Sequence, residues 1–236
     1  MKGESDLKIL AIDTSSFPAS VAISDDNVIL GEYVIRNQRK HSQNIMVMVE
    51  RLFADLSMDI SEIDIFATTC GPGSFTGLRI GISTVRAFAQ AMKKPVVSVN
   101  TLEAIAYNMS TYDGIVIPML DARRDEVFTA VYKFSDNESK ELCPPSVMTI
   151  SEIIEKYKNQ SVMFCGDGAL IHKSELDISE NFRFAPVNLS ETRASAVIAV
   201  AHSKALRGEV ISYNEVEPIY LRKSQAEQEY ERKQEK

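Results

Sequence analysis

The stretch from Cys70 to Gly81, CGPGSFTGLRIG, constrains this chain more than any other. Four glycines, Gly71, Gly73, Gly77 and Gly81, fall within eleven residues. They follow the apolar run Ile63 to Ala67, which reads as a buried strand feeding a tight turn. A helix is predicted to begin near Thr76, and its first-turn N–H groups have no intrahelical partner. The turn then either holds an anion or a partner's polar groups, or lets the helix pack closely on a sheet through Gly77 and Gly81, one helical turn apart. Spacing excludes three standard motifs. A Walker A loop needs a lysine after its last glycine, and none is here. Gly71, Gly73 and Gly77 give GxGxxxG, one residue longer than the dinucleotide fingerprint. A nucleophile elbow needs glycine two residues before the serine, where Ser74 has Pro72.

Upstream, Leu7 to Ile12, Ala19 to Ser24 and Val28 to Ile35 read as three strands of a meander. The first ends in Asp13-Thr14-Ser15, residue types that coordinate magnesium and phosphate in some enzymes and that also form ordinary turns. Gln38 to Ser57 has helical periodicity. Ile45, Met48, Val49, Leu52 and Leu56 share one face, and Met46 and Phe53 widen it to about 160°, beyond the stripe of about 100° that one core contact requires. That width fits a deeply buried helix, or a helix with a second surface to cover, where flanking methionines suit an adaptable interface. His41 falls on the apolar side, and the position one turn on, where a metal pair on one helix needs its second ligand, is Ile45. Gly77 to Met92 forms a second amphipathic helix with Arg79, Ser83, Arg86 and Gln90 along its polar side, either a solvated face or an interface. A strand from Val96 to Val99 and a helix from a Thr101 cap through Met109 complete the first half.

Tyr112-Asp113-Gly114 marks a boundary. Beyond it, Ile115 to Leu120 ends in Asp121, and Glu126 to Phe134 follows the turn Asp-Ala-Arg-Arg. This echo of the unit around Asp13 predicts a duplicated fold. Cys143 to Thr149, with Pro144 and Pro145, is expected at an edge or in a loop. Ser151 is expected to cap a helix to Tyr157, and Val162 to Cys165 to form a strand running into Gly166-Asp167-Gly168. Arg183 to Pro186 reads as extended, and Ala194 to Leu206 as a helix ended by Gly208. The charged segment Lys223 to Lys236 reads as a frayed helix or a disordered tail.

Charge narrows the function classes. With a net charge of −7, the chain is a poor autonomous nucleic-acid binder, because a polyanion is held by clustered Lys and Arg. Any nucleic acid would be met through another subunit. Cys70, Cys143 and Cys165 form no CxxC pair, which suggests neither a disulfide framework nor a zinc site and fits a reducing cytosol. The N-terminal MKGESDL carries acidic residues where a signal peptide has an apolar core, and no apolar run approaches membrane-spanning length. A cytoplasmic protein without membrane contact is expected.

ILAIDTS at the start, HSQ on the first helix, GPGSFTGLRIG in the middle, LDARRDEV and EPIYLR, in that order, resemble the TsaB (YeaZ) family of tRNA threonylcarbamoyladenosine biosynthesis proteins. That family lies within the actin-like, sugar-kinase and Hsp70 superfamily. The resemblance covers nearly the full length, and GPGSFTGLRIG is its most specific part. It implies an α/β fold of two actin-like (ASKHA, ribonuclease H-like) lobes with a reduced second lobe: residues 1–110, then 111–222, then a tail 223–236. It further implies a non-catalytic subunit, with no catalytic, metal or cofactor-binding residues in the isolated chain. Such a subunit pairs with and activates the TsaD threonylcarbamoyltransferase, and with TsaE completes the complex that modifies tRNA beside the anticodon. TsaD resembles this family but has an HxxxH metal motif on its first helix. The matching positions here are His41 and Ile45, so one ligand is absent. Members pair through their first two helices, as a homodimer or with TsaD. The resemblance therefore makes Met46, Phe53, Arg79, Ile82 and Arg86 the candidate partner interface, with Arg79, Ile82 and Arg86 aimed outward by the glycine turn. Asp13 and Asp121 match metal and phosphate positions of active superfamily members, so an ATP-using phosphotransferase stands as an alternative. A metallopeptidase is a weaker one, for the chain has no HExxH and no pair of metal-spaced histidines.

Overall fold

The computed structural model describes residues 7–36, 41–136 and 138–222, with the side chains of 41–43 excepted. The expectations for the first six residues, for residues 38–40, for the His41 side chain and for the tail from Lys223 lie outside the described residues.

The meander is β1 (Lys8–Asp13), β2 (Ala19–Asp25) and β3 (Val28–Ile35), followed by α1 (His41–Leu56), β4 (Ile65–Gly71), α2 (Phe75–Met92), β5 (Val96–Asn100) and α3 (Thr101–Tyr107). The second half runs β6 (Ile115–Arg123), β7 (Glu126–Ser135), β8 (Glu138–Thr149), α4 (Ile150–Tyr157), β9 (Val162–Cys165), α5 (Asp167–Ile171), α6 (Lys173–Leu176), β10 (Phe182–Phe184) and α7 (Ala194–Leu206). The first sheet has the order β3-β2-β1-β4-β5 and the second β8-β7-β6-β9-β10. In each, three antiparallel strands are extended by two parallel ones. The two halves are therefore one topology used twice, which is the two-lobed actin-like, ribonuclease H-like arrangement. The reduction of the second half lies in its helices. α4, α5 and α6 have 8, 5 and 4 residues, against 16 and 18 for α1 and α2.

Strand β1 is buried on both faces, so its residues alternate between two cores rather than between core and water. Leu10 and Ile12 pack with Ile45, Met48 and Leu52 of α1 and with Ile82 and Val85 of α2. Ile9 and Ala11 pack with Ala104 of α3 and with Ala194, Val197 and Ile198 of α7. In the second sheet, Val116 and Leu120 meet Leu102, Ile105 and Ala106 of α3, while Ile117 and Met119 meet Ile150 and Ile153 of α4. Helix α3 thus lies between the sheets and contributes to both cores. Helix α7, late in the chain, returns to the first sheet. Its start is capped across the molecule: Ala194 N–H donates to Ser20 Oγ at 2.9 Å, and Ser195 N–H to the Glu32 carboxylate at 3.0 Å.

Several local expectations need correction. Asn100, not Thr101, caps α3, its Oδ1 accepting from Leu102 N–H at 2.9 Å. Thr149, not Ser151, caps α4, in a capping box with Glu152. The edge expectation for Cys143 to Thr149 holds: it belongs to the long edge strand β8, where register shifts opposite Thr129 to Tyr132 absorb the two prolines.

The glycine turn packs a helix closely, as the second of its two readings holds. A Cβ on Gly77 would lie 2.0 Å from the Thr14 carbonyl oxygen, and one on Gly81 would lie 2.6 Å from Thr14 Oγ1. Gly77→Ala is expected to cost about 1–3 kcal/mol in chemical denaturation, since a backbone carbonyl cannot rotate away. Gly81→Ala should cost less, because the Thr14 side chain can turn.

Candidate functional site

The turn after β4 spends its polar groups inside the molecule. Ser74 N–H donates to the Ser15 carbonyl at 2.7 Å, and Thr14 Oγ1 donates to the Gly77 carbonyl at 2.7 Å. Ser74 Oγ accepts from Gly77 N–H at 3.2 Å and so caps α2. Of the N–H groups that could cradle a phosphate, that of Ser74 is thus bonded to the turn after β1 and that of Gly77 to the Ser74 side chain.

The two aspartates that end β1 and β6 differ sharply. Asp13 is fully buried, and its Oδ1 accepts from Ser15 N–H at 3.1 Å and from the hydroxyls of Ser15 and Thr69, both at 2.6 Å. It ties β1 to β4 and does not line the cleft between the lobes. Asp121 is exposed on that cleft, with Oδ1 accepting from Arg123 N–H at 2.7 Å. The cleft, about 790 Å³, lies between the Ser15 to Phe17 segment and the Gly73 to Thr76 turn on one side and Leu120 to Arg124 on the other, with Asp167 and the segment Ile219 to Arg222 also in its wall. Asp167 Oδ1 accepts from Asp121 N–H at 3.2 Å. Burial pushes the Asp167 carboxyl above its ordinary value of 3.8, and the backbone hydrogen bonds offset this only in part. Among the described residues, no three His, Cys, Asp or Glu side chains are grouped to hold a metal ion.

A second cavity, about 510 Å³, opens on the outer face between α1 and α2, lined by Ile45, Met46, Phe75, Thr76, Arg79, Ile80, Ser83 and Thr84. The five candidate interface residues divide here. Met46 is 50% exposed, and Arg79 and Arg86 are exposed along α2. Phe53 at 9% and Ile82 at 4% belong to the core beneath the two helices. Ile82 is therefore not aimed outward: it shares the sheet-facing stripe of α2 with Leu78, Val85 and Ala89. Likewise Ile45, at the position where a metal pair would need its second ligand, is 1% exposed and packed in the core.

Sequence reasoning did not single out Phe75 and Tyr220. Their rings stack with centroids 4.7 Å apart. Arg79 lies over the Phe75 ring at 3.9 Å and donates from Nε to Tyr220 Oη at 3.1 Å. The signal available was that Phe75 lies in GPGSFTGLRIG and Tyr220 in EPIYLR, a segment whose place in the fold no periodicity reveals.

The fold and this arrangement define a duplicated actin-like α/β protein with an exposed groove between its first two helices and a buried first-lobe aspartate. Residues 29–230 match the model of the TsaD family, described as tRNA N6-adenosine threonylcarbamoyltransferase. The tRNA threonylcarbamoyladenosine biosynthesis protein TsaB of Bacillus subtilis is 30% identical over 173 residues, 72% of this chain and 76% of that protein. TsaB of Escherichia coli is 28% identical over 93% of this chain and 96% of its own length. The structure of YeaZ from Pseudomonas aeruginosa superposes with a TM-score of 0.81 at 25% identity, covering 91% of this chain and all of that one. The chain belongs to this family and, within it, to the TsaB (YeaZ) proteins. Among the described residues no helix is long and apolar enough to cross a membrane.

Because burial raises the Asp167 pKa, the stability it contributes is present below the ordinary carboxylate pKa and is lost as pH rises through the raised value. Asp167→Asn, which keeps the acceptor for Asp121 N–H, should therefore melt higher than the wild type at neutral pH. The gap should close as the pH falls below 3.8, as thermal melts across pH will show.

Proposed function

We propose that this chain is a non-catalytic subunit of tRNA threonylcarbamoyladenosine biosynthesis that pairs with and activates a TsaD-type threonylcarbamoyltransferase. The observation that carries this reading is the exposed apolar groove between α1 and α2, with Met46 half exposed on one bank and Arg79 on the other. A methionine at a groove suits a partner surface, because its unbranched side chain repacks at low cost. The buried Asp13, tied to Ser15 and Thr69 and outside the cleft wall, argues against a phosphotransferase that would use it on magnesium and phosphate. The isolated chain accordingly has no cofactor in this reading.

In isolation the same face pairs two copies. TsaE joins the assembly of this chain with the catalytic subunit, and tRNA is met only through that complex, as the net charge of −7 suits. The work is done in the cytoplasm.

Met46→Asp tests the docking face. Since Met46 is half exposed, the variant should keep its melting temperature while binding to the catalytic subunit weakens about tenfold or more, roughly 1.4 kcal/mol. Wild-type affinity in that variant, measured by calorimetry, would remove the reading. Phe53→Asp is not an equivalent test: it buries a charge in the core and should lower the melting temperature.

A further inference from the structure

The motif EPIYLR, which the docking face leaves unused, belongs to an extended strap from Val216 to Arg222. Val216 is buried in the core with α1 and α2. Ile219 N–H donates to the Cys70 carbonyl at 2.7 Å. Its own carbonyl oxygen sits 2.4 Å from where a Cβ on Gly71 would stand, and Gly71 has a φ of +122°, so the strap crosses the central turn where glycine alone leaves room. At the far end, Arg222 donates to the Ala122 carbonyl at 2.7 Å and pairs with Glu126, both in the second half. The strap is thus anchored on both lobes, and Tyr220 lies between the anchors.

Tyr220 meets the docking face at Arg79. An arginine on a helix surface ordinarily samples many rotamers, and fixing it on binding costs side-chain entropy. Here the Phe75 ring at 3.9 Å supports the guanidinium, and the Tyr220 hydroxyl takes its Nε–H. Among the described residues no acceptor holds its two terminal nitrogens. Arg79 lines the groove beside Met46 and Ile80. Helix α2 has no Asp or Glu, and its outward residues Arg79 and Arg86 make it positive in a chain of net charge −7. A planar fork of free N–H donors on the bank of an apolar groove is suited to a carboxylate set among apolar side chains.

We propose that Tyr220 is a positioning residue: with Phe75 it holds Arg79 as a preformed fork for a carboxylate of the docked catalytic subunit, which makes the C-terminal strap part of the docking site. This rests on the docking reading above. Preorganisation of this kind raises affinity by removing an ordering cost from the binding step.

The test is a double-mutant cycle on the full chain, with binding to the TsaD-type subunit measured by calorimetry. Arg79→Ala should weaken binding about tenfold or more. Tyr220→Phe, which keeps the stack and loses the hydroxyl, should weaken it by about 3- to 10-fold. In the Arg79→Ala background, Tyr220→Phe should have no further effect, and added salt should weaken the wild type more than Arg79→Ala. Wild-type binding by Tyr220→Phe, or an equal loss with and without Arg79, overturns the inference. So does a loss confined to self-association of the chain. Melting temperatures of all variants guard against a folding defect, and Tyr220→Phe is the variant least exposed to one. Met46→Asp separates the two levels. If it binds normally, the docking reading fails; if it does not bind while the Arg79 and Tyr220 variants do, the strap inference alone fails.

Discussion

The placement of α2 on the turn after β1 is the contact on which the rest of this structure depends. Thr14 Oγ1 donates to the Gly77 carbonyl, Ser74 N–H donates to the Ser15 carbonyl, and neither Gly77 nor Gly81 has space for a side chain. These contacts bring the helix axis close to the sheet and fix its rotation. That rotation turns Leu78, Ile82, Val85 and Ala89 inward and leaves Arg79 and Arg86 outward. The groove with α1, the stacked Phe75 and the bond to Tyr220 all inherit their geometry from it. The turn that looks in sequence like an anion cradle is instead a mechanical joint, and its chemistry is the shape it imposes on α2.

Much of the fold is legible in the sequence because burial follows a period. The meander strands β1 to β3 and helix α7 were readable from apolar runs bounded by Asp, Asn, Pro and Gly, and the repeated strand-turn-strand around Asp13 and Asp121 announced the duplication. Helix caps were less legible, since Asn100 and Thr149 had adjacent competitors of similar chemistry, and only the path of the chain decides which oxygen reaches an N–H. The candidate site was legible in part. Met46 and the arginine row follow from the helical period, whereas Ile82 was misplaced: three residues after Arg79 and four before Arg86 it neighbours both on the helix surface, yet it lies at the edge of the stripe that the sheet buries. Tyr220 was out of reach, because its role comes from a long-range contact with Arg79 at a separation of 141 residues.

Asymmetry between the halves gives the molecule its character. Both sheets have one strand order, yet the aspartate of the first half is sealed between strands while that of the second stands on the cleft. The long helices lie on the outer face of the first sheet, and the second sheet is covered by short ones.

Reconstituted tRNA modification is the most direct measurement of the central claim. The catalytic subunit, its threonylcarbamoyl donor and the remaining components would be assayed on unmodified tRNA with and without this chain, and this chain would be assayed without the catalytic subunit. The account predicts modification when both proteins are present and none from this chain alone. Undiminished modification in its absence, or modification by this chain without the catalytic subunit, would contradict it.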